Sequence, residues 1–297
     1  MAYYHLEDTF ITDKWNLFIS GKVLESRTKS HECQDRILVA ESDESDSLLA
    51  VVLDGHGNSN IADFLVHNLP EAIFGRTDHC SDKSEVLIAI QDALLGLDKF
   101  ICQSPFLNKH GGCVVVMALI NHPLFPNEVL IINIGDCWAC QLDDFKVPYI
   151  ITKDHNAAEI EEQNRIMTLI KQVFPTVKRS EVFVPKSKDS VYLYSVLQPT
   201  RSFGDCFFKV RNRVLETKIT KRVDIYELIS SGISLIDPIA DFFFVPIKAN
   251  STMILSSDGY EKEIAFKKYK WDTSVVNQNF AQRNDDASIL SIIFTSS

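Results

Sequence analysis

"LLAVVLDGHGNSN", Leu48–Asn60, decides the reading of this chain, because six apolar residues run straight into an aspartate, two glycines and a histidine. The run is short, rich in aliphatic residues and closed by turn formers, which predicts a strand buried on both faces. A carboxylate and an imidazole at the exit of such a strand are costly to desolvate unless they have partners or a task. Comparable apolar runs recur in "RILVA" (36–40), "CVVVMALI" (113–120), "EVLIINI" (128–134), "STMILSS" (251–257) and "ASILSIIF" (287–294). Between them lie helical patterns. Leu87, Ile90, Leu94, Leu97 and Ile101 make one apolar stripe in "SEVLIAIQDALLGLDKFICQ", and Ile61, Leu65 and Leu69 make another after Asn58, Ser59 or Asn60 as cap. "AAEIEEQNRIMTLIKQVF" (157–174) is a third, acidic at its start and basic near its end.

Most strands come in adjacent pairs and the helices in blocks, which predicts an α+β fold with sheet packed on sheet and helices outside. With 297 residues, 45% of them hydrophobic, and no low-complexity divider, one domain over 1–297 is expected, with an irregular surface excursion within 176–250. The polar stretches "PKSKDS" and "ITKRVD" break that region. A net charge of −10 argues against nucleic acid or anionic membrane as partner. The first twenty residues are broken by charges, and no run approaches a membrane span. Seven scattered cysteines fit free thiols better than a disulfide framework. These features predict an intracellular protein, cytoplasmic or nuclear. Cys137 and Cys140 form a CxxC, but on a strand they would point to opposite faces, with no second pair to complete a zinc site.

The carboxylates repeat the opening arrangement. Asp54 follows "AVVL", Asp136 follows "IINIG", Asp258 follows "MILSS", Asp285 and Asp286 precede "ASILSIIF", and Asp35 precedes "RILVA". Any one of them alone is more often a turn residue or a cap than a ligand. Several ionised carboxylates at neighbouring strand ends, with few Lys or Arg beside them, imply a divalent cation. Mg²⁺ or Mn²⁺ prefers oxygen donors of this kind, and a glycine after an aspartate lets a backbone carbonyl approach the same ion.

In order along the chain, "CQDRILV", "VVLDGHGNSNIADFL", "GGCVVVMALI", "LIINIGDCWACQL", "ITKDHNAAEIEEQNRI", "LQPTRSFGDCFFK", "MILSSDGYEKEI" and "RNDDASILSIIF" resemble the motif series of the type 2C metal-dependent serine/threonine protein phosphatases. The resemblance runs from about Glu25 to Phe294. It implies a central β-sandwich of two antiparallel sheets flanked by α-helices, with metals in a cleft at one end. It implies that Asp54 bridges two ions, that the Gly55 carbonyl binds one of them, and that Asp258 and Asp285 complete the first site. Asp35 would serve the second site, largely through water, and Asp154 a weaker third ion. His56 matches the histidine that protonates the leaving group. The activity implied is hydrolysis of phosphoserine and phosphothreonine in proteins by a metal-activated water, without a phospho-enzyme intermediate, with Mg²⁺ or Mn²⁺ as cofactor, a phosphoprotein as substrate and a monomer as the expected state.

Three positions depart from that pattern. Ser30 stands where an arginine commonly grips phosphate, with Arg27 and Lys29 nearby; Gln34 replaces an acid; and Asp286 replaces an asparagine beside Asp285. Asp286 would either strengthen metal binding or raise a neighbour's pKa. "GDCWA" in the hairpin bears on packing. Arg201 and Asp205 of "TRSFGD" are expected to make scaffold contacts beneath the site. His5, His31, His67, His79, His110, His122 and His155 show no metal-ligand spacing and read as surface or packing residues, His155 at most supporting a ligand. The departures motivate two alternatives: a catalytically silent pseudophosphatase serving as an interaction scaffold, and a phosphatase of small metabolites.

Overall fold

The computed structural model describes residues 3–12, 14–26, 32–107, 111–142, 148–187, 190–209, 227–228, 230–260 and 285–296. Arg27, Lys29, Ser30, His31, His110 and the stretch "ITKRVD" lie outside the described residues.

In chain order the elements are β1 (Tyr3–Ile11), β2 (Trp15–Leu24), β3 (Arg36–Glu41), β4 (Leu48–His56), α1 (Asn60–Thr77), α2 (Lys83–Gln103), β5 (Gly112–Ile120), β6 (Glu128–Ile134), β7 (Trp138–Leu142), β8 (Pro148–Ile150) and α3 (Ile160–Ile170). There follow a single turn, α4 (Arg179–Val182), then β9 (Phe183–Pro185), β10 (Val191–Leu193), β11 (Phe203–Gly204), β12 (Asp241–Pro246), β13 (Thr252–Ser256) and β14 (Ala287–Ser296). One sheet runs β1-β2-β14-β13-β7-β8 and the second β12-β6-β5-β4-β3, with β11 added to β5, while β9 and β10 pair apart. The strand pairs are antiparallel throughout. The architecture is therefore α+β, two antiparallel sheets face to face with helices against them.

The two-residue period of a strand explains both layers of the core. Leu48, Ala50 and Val52 of β4 point between the sheets and meet Leu290 and Ile292 of β14, whereas Leu49, Val51 and Leu53 join the helix-facing cluster with Ile61, Leu65 and Leu69 of α1. With helices on one side and a sheet on the other, β4 and β5 are covered on both faces, so they read as unbroken apolar runs despite being antiparallel. Asp82 caps α2 by accepting from the Ser84 and Glu85 N–H groups. At α1 the cap position is Ser59, whose side chain makes no cap bond, while Asn58 Oδ1 takes the Asn60 N–H. The buried stripe of α2 holds Ile90, Leu94 and Ile101 as the periodicity predicts, and also a charged residue, Asp98.

Cys137 belongs to the inter-sheet cluster and Cys140 to the outer cluster with Trp138 and Ile254, so the CxxC faces both ways. Cys102 and Cys206, read from the sequence as free thiols, are joined in a disulfide that ties the end of α2 to the segment after β11; Cys33, Cys80, Cys113, Cys137 and Cys140 are free. Among the described residues no helix is long and apolar enough to cross a membrane.

Candidate active site

The opening motif lies on the strand itself. β4 continues through Asp54, Gly55 and His56 because these pair with Val114, Cys113 and Gly112 of β5, and Gly57, at φ +82°, turns the chain away. The side chains are thus mounted on the end of a rigid central strand. They open into a cleft of about 530 Å³ whose lining includes Asp54, Gly55, His56, Asp258 and Asp285. Asp258 comes from the turn after β13 and Asp285 from the residues before β14, neighbouring strands of the other sheet. Asp136, on the β6–β7 turn, and Asp205 line the same cleft. The lining also includes the apolar residues Val196, Pro199 and Phe207.

The electrostatics are those of crowded carboxylates. Burial raises the Asp54 carboxyl well above its usual range, and Asp35, Asp258, Asp136 and Asp285 push it further the same way. Asp136 is raised to about 8, first by burial, then by Asp258 and Asp154. Asp35, wholly interior, is raised to about 7 by burial, although Ser288 donates to its Oδ2 at 2.7 Å and draws it back. Asp286 is committed elsewhere: its two oxygens accept from the Ser26 N–H at 2.8 Å and the Gln34 N–H at 3.0 Å. This extra acid anchors the backbone on either side of residues 27–31 and adds to the upward push on Asp35. Asp285 accepts from the Asp286 N–H at 2.9 Å.

Gln34 also lines the cleft, and with its amide turned to suit both neighbours it donates to the Gly55 carbonyl at 3.1 Å and accepts from the Asn58 N–H at 3.2 Å. A Cβ on Gly55 would come within 2.7 Å of the Gln34 carbonyl oxygen, so glycine is needed there for close approach.

His56 has a partner that sequence separation hides. Its Nε2 lies 2.8 Å from Asp205 Oδ2, and the same oxygen accepts from Ser202 Oγ at 2.6 Å. Burial lowers the imidazole pKa, but the Asp205 charge and hydrogen bond outweigh it and the net direction is up. Asp205 would be raised by burial and is instead lowered, chiefly by His56 and Ser202. Gly112 makes room for the pair, since a Cβ there would collide with both Asp205 Oδ2 and His56 Nε2. Asp205 itself sits at φ +46°, a left-handed conformation that aspartate tolerates better than most residues.

Asp154 is not in this lining. It borders a second cleft of about 380 Å³ with His155, Arg201 and Asp241, yet is near enough to Asp136 to raise it. Around that cleft Arg201 donates to Glu162 Oε1 at 2.6 Å and to Asp241 Oδ1 at 2.9 Å, the scaffold role expected of it. His155 Nδ1 accepts from the Gly135 N–H at 3.1 Å, and its Nε2 is 3.1 Å from Asp241 Oδ2. Among the described residues no group of three or more His, Cys, Asp or Glu is placed to hold a metal ion as it stands. The lining acids nevertheless fit a hard divalent ion in kind, being oxygen donors whose strongest neighbours are other carboxylates.

Asp136 is visible in the sequence as a strand-end acid but receives no role there. Asp205 is expected to make scaffold contacts beneath the site, but its contact with His56 spans 149 positions, beyond any local signal.

A family model described as protein phosphatase 2C matches residues 19–232. Two Arabidopsis thaliana proteins, "Probable protein phosphatase 2C 14" and "Probable protein phosphatase 2C 28", are 25% and 26% identical over 158 and 157 residues, 53% of this chain in each case. The matched regions are only 31% and 41% of those proteins, so the chain spans less than half the length of these curated relatives. A solved phosphatase from a pathogenic strain of Toxoplasma gondii superposes with a TM-score of 0.65 at 14% identity, covering 96% of this chain and 95% of that one. A C. elegans sex determining protein gives 0.65 at 16% identity over 93% and 64% of the two chains, and an S. agalactiae serine/threonine phosphatase 0.57 at 15% over 93% and 98%. At such identities the structures speak for the fold alone. The family match, by contrast, takes in well over half of the chain, from β2 through the DGHG strand and the TRSFGD segment, and on that ground the chain belongs to the protein phosphatase 2C family.

Proposed function

We propose that the chain hydrolyses phosphoserine and phosphothreonine in phosphoproteins with the help of Mg²⁺ or Mn²⁺. The observation that carries this reading is the convergence of Asp54 with Asp258 and Asp285, both more than two hundred positions further along the sequence, on the cleft that also holds His56. Asp54, Asp258, Asp285 and the Gly55 carbonyl would hold one ion. Asp54 and Asp35 would serve a second ion, and Asp154 a weaker third. Bound there, the divalent ions would supply an activated water and offset charge developing on the phosphoryl oxygens.

The chain's own residues do the rest. The acids sit at strand ends, and their mutual repulsion would be relieved when a cation enters. His56, held in place through Asp205, protonates the departing serine or threonine oxygen as its bond to phosphorus breaks. Val196, Pro199 and Phe207 of the same lining would offer an apolar surface to the residues flanking the phosphate.

The test is hydrolysis of a phosphothreonine peptide with and without Mn²⁺, wild type beside Asp258→Asn, with Mn²⁺ binding followed by titration calorimetry. Turnover that requires Mn²⁺, stops with EDTA and drops at least about 10²-fold in the variant is expected, as for loss of an electrostatic contact to the reacting group. Turnover without metal would refute the reading. Neither binding nor turnover would leave the scaffold interpretation, and turnover confined to small phosphate esters the metabolite one.

A further inference from the structure

The loop that carries Asp205 is fastened to α2 by an ion pair with no access to solvent. Lys209 Nζ lies 2.8 Å from Asp98 Oδ1, and both side chains are fully buried. The same Asp98 oxygen accepts from the Gly204 N–H at 2.9 Å, and Lys209 also donates to the Ser202 carbonyl at 2.8 Å. Thus one carboxylate and one ammonium bind Gly204 and Ser202, the residues that flank Phe203 just before Asp205. One helical turn along α2, Cys102 is bonded to Cys206, the residue just after Asp205. The Asp205 N–H donates to the Gly111 carbonyl at 2.9 Å, beside the glycine that makes room for the dyad.

We propose that Asp98 and Lys209 are positioning residues for His56, acting through the loop 202–209 and the Asp205 carboxylate; this rests on the reading of His56 as the group that protonates the leaving oxygen.

The physical case is as follows. Asp205 occupies a left-handed backbone conformation directly after Gly204, also left-handed at φ +73°. Two consecutive residues of that kind are not held by local preference and must be held by contacts. A buried ion pair is a weak source of stability compared with apolar packing of the same volume. What it supplies is direction: a charge at a fixed point with hydrogen bonds that fit one loop geometry. Here those bonds end on the backbone of the residue whose hydroxyl meets Asp205 Oδ2 at 2.6 Å, and that oxygen faces His56 Nε2 at 2.8 Å. If the loop relaxes, Asp205 and then the imidazole lose their aim. Displacements of about 1 Å can cost about 10²-fold in rate where proton transfer is geometry-limited.

A purely structural role for the pair would lower all turnover alike, whereas a positioning role weighs on substrates that need the proton. Phenyl phosphate and p-nitrophenyl phosphate are close in shape, but phenolate is a poor leaving group and p-nitrophenolate a good one. In each case the P–O bond breaks with its electron pair on oxygen; the phenyl oxygen takes the proton from His56 as it leaves, whereas p-nitrophenolate is stable enough to leave as the anion. We expect wild type with Mn²⁺ to turn over both, and His56→Asn to widen the p-nitrophenyl to phenyl kcat ratio by about 100-fold, at the low end of general-acid contributions. Asp98→Asn/Lys209→Met, which removes both charges with little change of volume, should widen the ratio about 10-fold and Ser202→Ala about 3-fold. A ratio within twofold of wild type, or an equal fall on both substrates, overturns the proposal while leaving the phosphatase reading intact. An unchanged ratio in His56→Asn removes its premise. Absence of turnover in wild type on both esters and on the phosphothreonine peptide removes the phosphatase reading itself and this proposal with it. Should the double variant lack a cooperative thermal melt, Asp98→Asn alone, which retains an oxygen for the Gly204 N–H, is judged by the same ratio.

Discussion

Replacing Glu162 by Gln tests the network that joins α3 to the TRSFGD segment. The Glu162 carboxylate is 4% exposed and accepts from Arg165 at 2.8 and 3.0 Å, from Arg201 at 2.6 and 3.1 Å and from Thr200 Oγ1 at 2.8 Å. Burial by itself would raise its pKa, but the two arginines bring it down from an ordinary 4.5 to about 2. At about 1.4 kcal/mol for each tenfold change in ionisation, that difference is worth about 3 kcal/mol to the folded state at neutral pH. Because the folded pKa is the lower one, the contribution is complete above the unfolded value near 4.5 and is lost as pH falls towards 2. Urea unfolding of wild type and Glu162→Gln, measured from pH 7 to pH 3, should therefore show a gap of about 3 kcal/mol at pH 7 that roughly halves by pH 3. Groups that titrate alike in both proteins cancel in the difference. A gap below about 1 kcal/mol at pH 7, or one that stays flat down to pH 3, would show that the arginines do not hold this carboxylate as described.

Gly112→Ala should drive His56 and Asp205 apart and lower phosphothreonine turnover by about 10²-fold, with a cooperative melt preserved; activity within threefold of wild type would mean the pair has room to spare. Thiol alkylation of the denatured protein should label five cysteines before reduction and all seven after. Cys102→Ala/Cys206→Ala should cost about 2–4 kcal/mol in urea unfolding, and labelling of seven without reductant would refute the bond.

The legible part of this fold is the part that is buried on both sides. Strands β4, β5, β6 and β13 announce themselves as apolar runs because nearly all of their residues are buried. The N-terminal hairpin β1–β2 does not: β1 lies at the sheet edge and β2 alternates interior with outward residues, so their charges break any apolar run. Strand β12, "DFFFVP", falls in the stretch read as irregular, yet it forms an edge of the second sheet beside β6. Within the cleft, Asp54, Asp258 and Asp285 are traceable from sequence because each ends or begins an apolar run. The pairings of Asp205 with His56 and of Lys209 with Asp98 are not, since the partners belong to distant elements. The disulfide is equally hidden: among seven cysteines nothing in the spacing selects two that are 104 positions apart.

The placement of β14 has a consequence for how the sheet assembles. The strand lies inside its sheet, between β2 and β13, and matches ten consecutive residues of β2, from Leu24 back to Trp15, that are far away in sequence. Such a pairing closes a very long loop before any contact rewards it, which makes it a slow step of folding. Asp285 arrives with the same strand. Until it docks, β2 and β13 each present an open sheet edge that invites aggregation.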